Sequence, residues 1–239
     1  MPRFFCTNIS KDKAIIEGND AHHISHSLRM KKGEEIIICD ANGYDYKCIT
    51  ESFGDSVVCK IIEKYSSNTE PDIFVTLYQS IPKQDKMEMI IQKSVELGVS
   101  KIVPVLSKRC ISRHDEKSMN KKLERYSKIS KEAAKQSGRG IIPQIENMIS
   151  YKEAVKISSK DDLSLICYEG GGKNLCEIDY NNIKTISIFV GGEGGFDIDE
   201  INLATKNDMI RIGLGPRILR CETAPLAALS ILMNCTKNM

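Results

Sequence analysis

Hydrophobic and polar positions follow two different rhythms along these 239 residues. Up to about residue 68 the apolar stretches are short and close together. Glu35-Ile-Ile-Ile-Cys39 and Tyr44-Asp-Tyr-Lys-Cys-Ile49 flank Asn42-Gly43, a dipeptide suited to the two φ > 0 positions of a tight hairpin. Val57-Val-Cys-Lys-Ile-Ile62 reads as a third strand. Such closely spaced strands predict an all-β unit of barrel type. Tyr65-Ser-Ser-Asn-Thr-Glu-Pro71 is polar and ends in proline, as a linker does.

From Ile73 the rhythm changes to strands alternating with helices. Ile73–Tyr78, Lys101–Leu106, Leu163–Tyr168, Ile186–Val190 and Met209–Ile212 read as strands. Pro104 argues for an edge or strand-end position. Between them, Met87, Ile90, Ile91 and Val95 recur at helical spacing over Asp85–Leu97, with Gly98 as the terminating residue. Met119, Leu123, Tyr126, Ile129 and Ala133 form the apolar stripe of a second helix over 118–137. That alternation predicts a mostly parallel α/β sheet. The expected organisation is a small β unit over 1–68 and an α/β domain over 73–239.

Charge sharpens the picture in the middle of the chain. Residues 83–140 hold 15 Lys and Arg against 7 Asp and Glu, whereas the whole chain has a net charge of only +2. Such a block is the electrostatic footprint of a polyanion partner, or else a solvated helix face. No run of 18 apolar residues suggests a membrane span, and Met-Pro-Arg-Phe-Phe lacks the apolar core of a signal peptide. Nine scattered cysteines without a C-x-x-C pair argue against structural zinc and for reduced thiols in the cytosol. His22, His23 and His26 lack the cysteine pair or acid cluster that would complete a metal site, so a polar loop or RNA contact suits them better. The only other histidine is His114, and no Ser-His-Asp arrangement is evident.

Candidate chemistry lies near the C-terminus, in Phe189-Val-Gly-Gly-Glu-Gly-Gly-Phe196 and Leu214-Gly-Pro-Arg-Ile-Leu-Arg-Cys-Glu-Thr-Ala-Pro225. Each glycine stretch follows a strand and bares main chain to a ligand. Asp197-Ile-Asp-Glu200 reads as a capping-box-like helix start. Thr223-Ala-Pro reads as a cap with proline in the first turn. Walker A and dinucleotide fingerprints both fail on spacing and on the missing Lys-Ser/Thr. The glycines either cap their elements or, with Glu193, Arg217, Arg220 and Glu222 embedded, build a ligand site at one sheet edge. Arg220 and Glu222 either pair with each other or meet a ligand. Lys83 and Lys86 frame a helix start, and Arg139 lies between Gly138 and Gly140 with a planar fork suited to phosphate. Beyond Thr223 the helix is apolar on nearly every face, which predicts packing against a second subunit.

The two glycine stretches resemble the second and third motifs of the SPOUT methyltransferases. Together with Pro2-Arg-Phe-Phe5, His22–Arg29, Pro82–Glu88, Glu96-Leu-Gly98 and Glu132–Arg139, they make the chain resemble the bacterial 16S rRNA (uracil(1498)-N(3))-methyltransferase family. Ser27, Cys221 and Pro225 depart mildly from that pattern. The resemblance implies a PUA-like RNA-binding barrel followed by a SPOUT domain with a C-terminal trefoil knot. It further implies an obligate cytoplasmic homodimer that uses S-adenosylmethionine, without metal, on 16S ribosomal RNA or the small subunit. The cofactor is expected on Gly191, Gly192, Glu193, Gly194, Gly195, Leu214, Gly215, Ile218 and Leu219. RNA is expected on Arg3, His23, Arg29, Lys83, Lys86, Gln136 and Arg139. Arg220 would stabilise negative charge on the uracil oxygens, and Glu222 would accept the N3 proton or orient the base. Methylation of another RNA position, or a non-catalytic ribosome-assembly role, are the alternatives.

Overall fold

The computed structural model describes residues 1–110 and 116–239, with backbone alone for 116–118; His114 lies outside the described residues. Contacts divide the chain into two compact units, Met1–Glu70 with Ala134–Ile142, and Pro71–Ala133 with Pro143–Met239. The first unit is therefore not contiguous in sequence. Residues 134–142, assigned to the α/β domain by the sequence division at 68 and 73, pack with it.

The first unit carries strands β1 (Arg3–Phe5) and β2 (Lys13–Glu17), helix α1 (Gly18–His22), and strands β3 (Glu35–Cys39), β4 (Tyr44–Phe53) and β5 (Ser56–Ser66). Their sheet order is β1-β3-β4-β5-β2. The Asn42-Gly43 hairpin joins β3 to β4 antiparallel, with Gly43 at φ 90°. The unit is not all-β, because α1 runs on into a π-helical turn over His23–Ser27. Ala21 and Ile24 anchor that turn in a core with Phe4, Ile16, Ile36, Ile38 and Val57. Tyr65 and Ser66, read as linker, extend β5.

Glu70 fixes the returning segment. Its carboxylate accepts from Arg139 Nη2 at 2.5 Å and from the amides of Gly140 at 2.8 Å and Ile141 at 3.2 Å. Arg3 donates to the Arg139 carbonyl at 2.6 Å and to Asp45 at 2.7 Å. Gly140 is required there, since a Cβ would lie 2.5 Å from that of Ser67.

The second unit adds β6 (Phe74–Ser80), α2 (Lys86–Glu96), β7 (Lys101–Leu106), α3 (Glu116–Gln136, its last residues in the first unit), β8 (Gln144–Ile145) and β9 (Ile149–Ser150). It continues with α4 (Tyr151–Ser158), β10 (Leu163–Cys167), β11 (Thr185–Val190), α5 (Ile198–Lys206), β12 (Ile210–Ile212) and α6 (Ala224–Cys235). The sheet is seven-stranded, in the order β12-β10-β11-β6-β7-β8 with β9 also on β7, and every recorded pairing is parallel. The central strands β6, β10 and β11 are buried along most of their length without alternation, polar Thr76, Gln79, Ser164 and Ser187 included, as in parallel strands covered on both faces.

Pro104 does not mark an edge. β7 lies between β6 and the short strands β8 and β9. β8 pairs only Lys101 and Ile102, and β9 only Val105 and Leu106. Pro104 falls in the gap between them, where no amide donor is called for.

Asp197 and Glu200 form a full capping box at the start of α5. Thr223, by contrast, is itself helical and makes no side-chain cap bond at α6. Pro225, Ala228, Leu229, Leu232 and Met233 of α6 are buried, while Leu226, Ala227, Ser230 and Ile231 stay half-buried.

Candidate functional site

Strands β12, β10 and β11 are neighbours and parallel, so their C-terminal ends release three loops side by side. Open parallel sheets hold ligands at such carboxyl ends. The loops enclose a cavity of about 310 Å³. All nine residues expected at the cofactor line it: Gly191–Gly195 from the loop after β11, and Leu214, Gly215, Ile218 and Leu219 from the loop after β12. The third wall, Cys167, Tyr168, Glu169 and Gly171 after β10, was missed by the sequence reading. Its signal was present, for Gly170-Gly-Gly172 follows an apolar strand just as the other two stretches do.

The first glycine loop folds back on itself, the Gly195 amide donating to the Gly192 carbonyl at 3.1 Å. Gly195 takes φ 61°, and a Cβ on Gly191 would stand 2.9 Å from Gly195 Cα. Gly192 is different. Its φ is ordinary, and the nearest atom a Cβ would meet is the Ile81 carbonyl at 3.6 Å. Arg109 ties the loop down by donating to the Gly194 carbonyl at 3.0 Å.

Three charged residues from three segments converge beside the cavity. Lys86 Nζ lies 3.1 Å from Glu193 Oε1 and 3.2 Å from Glu222 Oε2. Glu193 also accepts the Lys83 amide at 3.0 Å, and Glu222 accepts the Cys221 thiol at 3.2 Å. Burial pushes the Glu193 carboxyl up, but its own amide, the Lys83 amide and Lys86 outweigh this and hold it below the usual range. Burial likewise raises Glu222, and its own amide, the Cys221 thiol and Lys86 reverse the sign. Hydrogen bonds to Glu193 and then Glu222 raise the Lys86 ammonium. Burial and the Glu222 contact push the Cys221 thiol up to about 12, so it stays a neutral donor. Both depressed carboxylates contribute stability that is present above their unfolded pKa and lost as pH falls through the folded values.

The remaining expected residues divide sharply. Arg220 is exposed, with no side-chain hydrogen bond or ion pair recorded among the described residues. Lys83, Gln136, His23 and Arg29 are exposed, and His22 stacks on His26 at 4.3 Å. Arg139 is not available to phosphate: it is only 3% exposed and its fork is held by Glu70. Arg3 is likewise engaged, its side chain 12% exposed against Asp45. Sequence reasoning took both for RNA contacts because a partner 69 or 42 residues away leaves no local trace. No group of three or more metal-ligating side chains occurs among the described residues, and no described helix is long and apolar enough to cross a membrane.

Two known families match successive stretches of the chain. Residues 69–233 match the family described as an RNA methyltransferase domain, and residues 16–62 match an RNA methyltransferase PUA domain. Ribosomal RNA small subunit methyltransferase E of Bacillus subtilis is 38% identical over 223 residues, covering 90% of this chain and 87% of that protein. Its namesake from Mesomycoplasma hyopneumoniae is 36% identical over 238 residues, 100% of each. The crystal structure of ribosomal RNA small subunit methyltransferase E from Neisseria gonorrhoeae bound to S-adenosyl methionine superposes with a TM-score of 0.88. It is 33% identical and covers 98% of this chain and 97% of that one.

Proposed function

Because the chain belongs to the ribosomal RNA small subunit methyltransferase E family, we propose that it methylates N3 of one uridine in 16S ribosomal RNA, using S-adenosylmethionine. The observation that carries this reading is the three-loop cavity at the carboxyl ends of β10, β11 and β12. Its residues fit the cofactor. Gly191, Gly192, Gly194 and Gly195 offer backbone donors and acceptors without side-chain bulk, and Leu214, Ile218 and Leu219 offer an apolar slot for adenine. Ile218 is 87% exposed, as befits an apolar wall that a ligand covers. When bound, the cofactor supplies an already activated methyl group on a sulfonium.

What this chain's own side chains add concerns the acceptor. Uracil N3 is a weakly acidic imide whose negative charge, once the proton leaves, spreads onto the two flanking carbonyl oxygens. Arg220, exposed beside the cavity, presents a planar donor fork to that charge. A carboxyl held below its usual range is a weak base, since general bases work best with a pKa near the operating pH. Of the two roles open to Glu222, the lowered pKa therefore favours orienting the base over storing its proton. N3 lies on the Watson–Crick edge, so the target uridine is unpaired or flipped out when it reacts.

The test is mass mapping of 16S ribosomal RNA from a strain lacking the gene. One uridine is expected to lose a methyl group, and the purified protein should restore it in the presence of S-adenosylmethionine. A change confined to another nucleotide would move the activity to that position. Unaltered RNA in the deletion strain would leave an assembly role in its place.

The same reading includes a cytoplasmic homodimer. Leu229 is fully buried within its own chain, so the half-buried stripe of Leu226, Ala227 and Ile231 on α6 is the face left for a second copy. Leu226→Lys with Ile231→Lys should convert a sedimenting dimer to monomer at micromolar concentration, because each buried leucine or isoleucine is worth about 1.5–3 kcal/mol. A wild-type chain that sediments as a monomer would remove this part of the reading.

A further inference from the structure

Lys86 opens α2, where a cation stands against the helix dipole and Asp85 provides no side-chain cap. Its ammonium is compensated instead by two carboxylates from loops that are otherwise separate, 3.1 Å from Glu193 and 3.2 Å from Glu222. The Cys221 thiol at 3.8 Å is the other titratable group facing it. Glu193 has a second outside anchor in the Lys83 amide. Among the described residues, Glu222 has only its own amide and the neighbouring thiol besides Lys86. Two carboxylates drawn to one point repel unless a cation stands between them. A charge compensated in this way is poorly placed to neutralise an RNA phosphate, whereas the exposed Lys83 side chain is well placed to do so.

We propose that Lys86 is a positioning residue of the methyl-transfer site, holding Glu193 of the cofactor loop and Glu222 of the acceptor loop in one arrangement, and not an RNA contact. The substrate in this statement rests on the methyl-transfer reading above; the electrostatic coupling does not. Its removal should let Glu222 swing away from Glu193 and weaken the depression of its carboxyl, part of which its own amide and the Cys221 thiol supply. Arginine at position 86 retains the charge and should restore most of the arrangement.

The experiment compares Lys86→Met, Lys86→Arg and Lys83→Met. It uses steady-state methylation of 16S RNA, the salt dependence of RNA binding, and carboxyl titration by NMR with carbon-13 glutamate. Lys86→Met is expected to lower kcat about tenfold or more, with KM for RNA and the salt slope near wild type. The Glu222 carboxyl should titrate at higher pH, and Lys86→Arg should recover most of the rate. Lys83→Met should instead raise KM and lower the salt slope by about 0.7–0.9, the signature of one lost phosphate contact. If Lys86→Met shows that second pattern with kcat intact, Lys86 is an RNA contact and the proposal is wrong. If the wild-type protein methylates no 16S RNA, the substrate reading fails. The Glu222 titration then still decides this proposal: a raised value upholds the coupling and an unchanged one overturns it.

Discussion

Gly192→Val is expected to lower the affinity for S-adenosylmethionine about a hundredfold, roughly 2.8 kcal/mol at 1.4 kcal/mol per tenfold, while the thermal midpoint stays close to wild type. The two halves of that result have separate causes. Position 192 has an ordinary φ and meets only an ordinary 3.6 Å contact at Cβ, so valine strains neither backbone nor neighbours. Its branched methyls would project where Gly192 lines the cavity, and overpacking of that kind costs about 1–3 kcal/mol. Gly215→Val makes a useful contrast. With φ 101° and open space around it, that variant should lose stability through backbone strain of about 1–3 kcal/mol. Calorimetry and thermal melts on both variants check the pair. Wild-type affinity in Gly192→Val would place the cofactor outside the three-loop cavity.

Arg220→Ala is expected to lower kcat about 10²–10³-fold, the range seen when one preorganised donor to developing negative charge is removed. Cofactor affinity should change little, because Arg220 does not line the cavity, and KM for RNA should rise less than kcat falls. A guanidinium used only for phosphate attraction would give the reverse, a raised KM and a flattened salt response with kcat preserved. Single-turnover rates at saturating RNA distinguish the two. Glu222→Gln keeps a hydrogen-bonding group of the same shape and should cost less than Arg220→Ala if Glu222 orients the base. A loss as large as that of Arg220→Ala would return proton acceptance to this residue.

Features with a local cause were legible in the sequence. Asn42-Gly43 announces its hairpin, Asp197 and Glu200 announce their capping box, and glycines after apolar strands announce loops that bare main chain. The short strands β8 and β9 were not legible, for a two-residue strand exists only because β7 offers it partners. The same applies to Pro104, whose tolerance depends on the gap between them. Long-range ion pairs were not legible: Arg3, Lys86 and Arg139, all expected on RNA, are each held by a carboxylate. Each partner lies at least 42 residues away, beyond any periodicity. Glu222 was singled out from its place in the glycine segment, but the ammonium paired with its carboxylate, that of Lys86, stands 136 residues earlier in the chain.

The return of Ala134–Ile142 to the first unit bears on how the protein is made. Synthesis runs from the N-terminus at about 5–20 residues per second, and domains ordinarily fold in order of emergence. Here Glu70 leaves the peptidyl-transferase centre roughly 4–14 s before Ile142 at that pace. Throughout that interval the nascent first unit has β1 to β5 but not Arg139, and the Glu70 carboxylate has nothing to grip. The opening stretch of the second unit, Pro71–Ala133, must therefore be threaded out, and kept from misassociating, before the first can close.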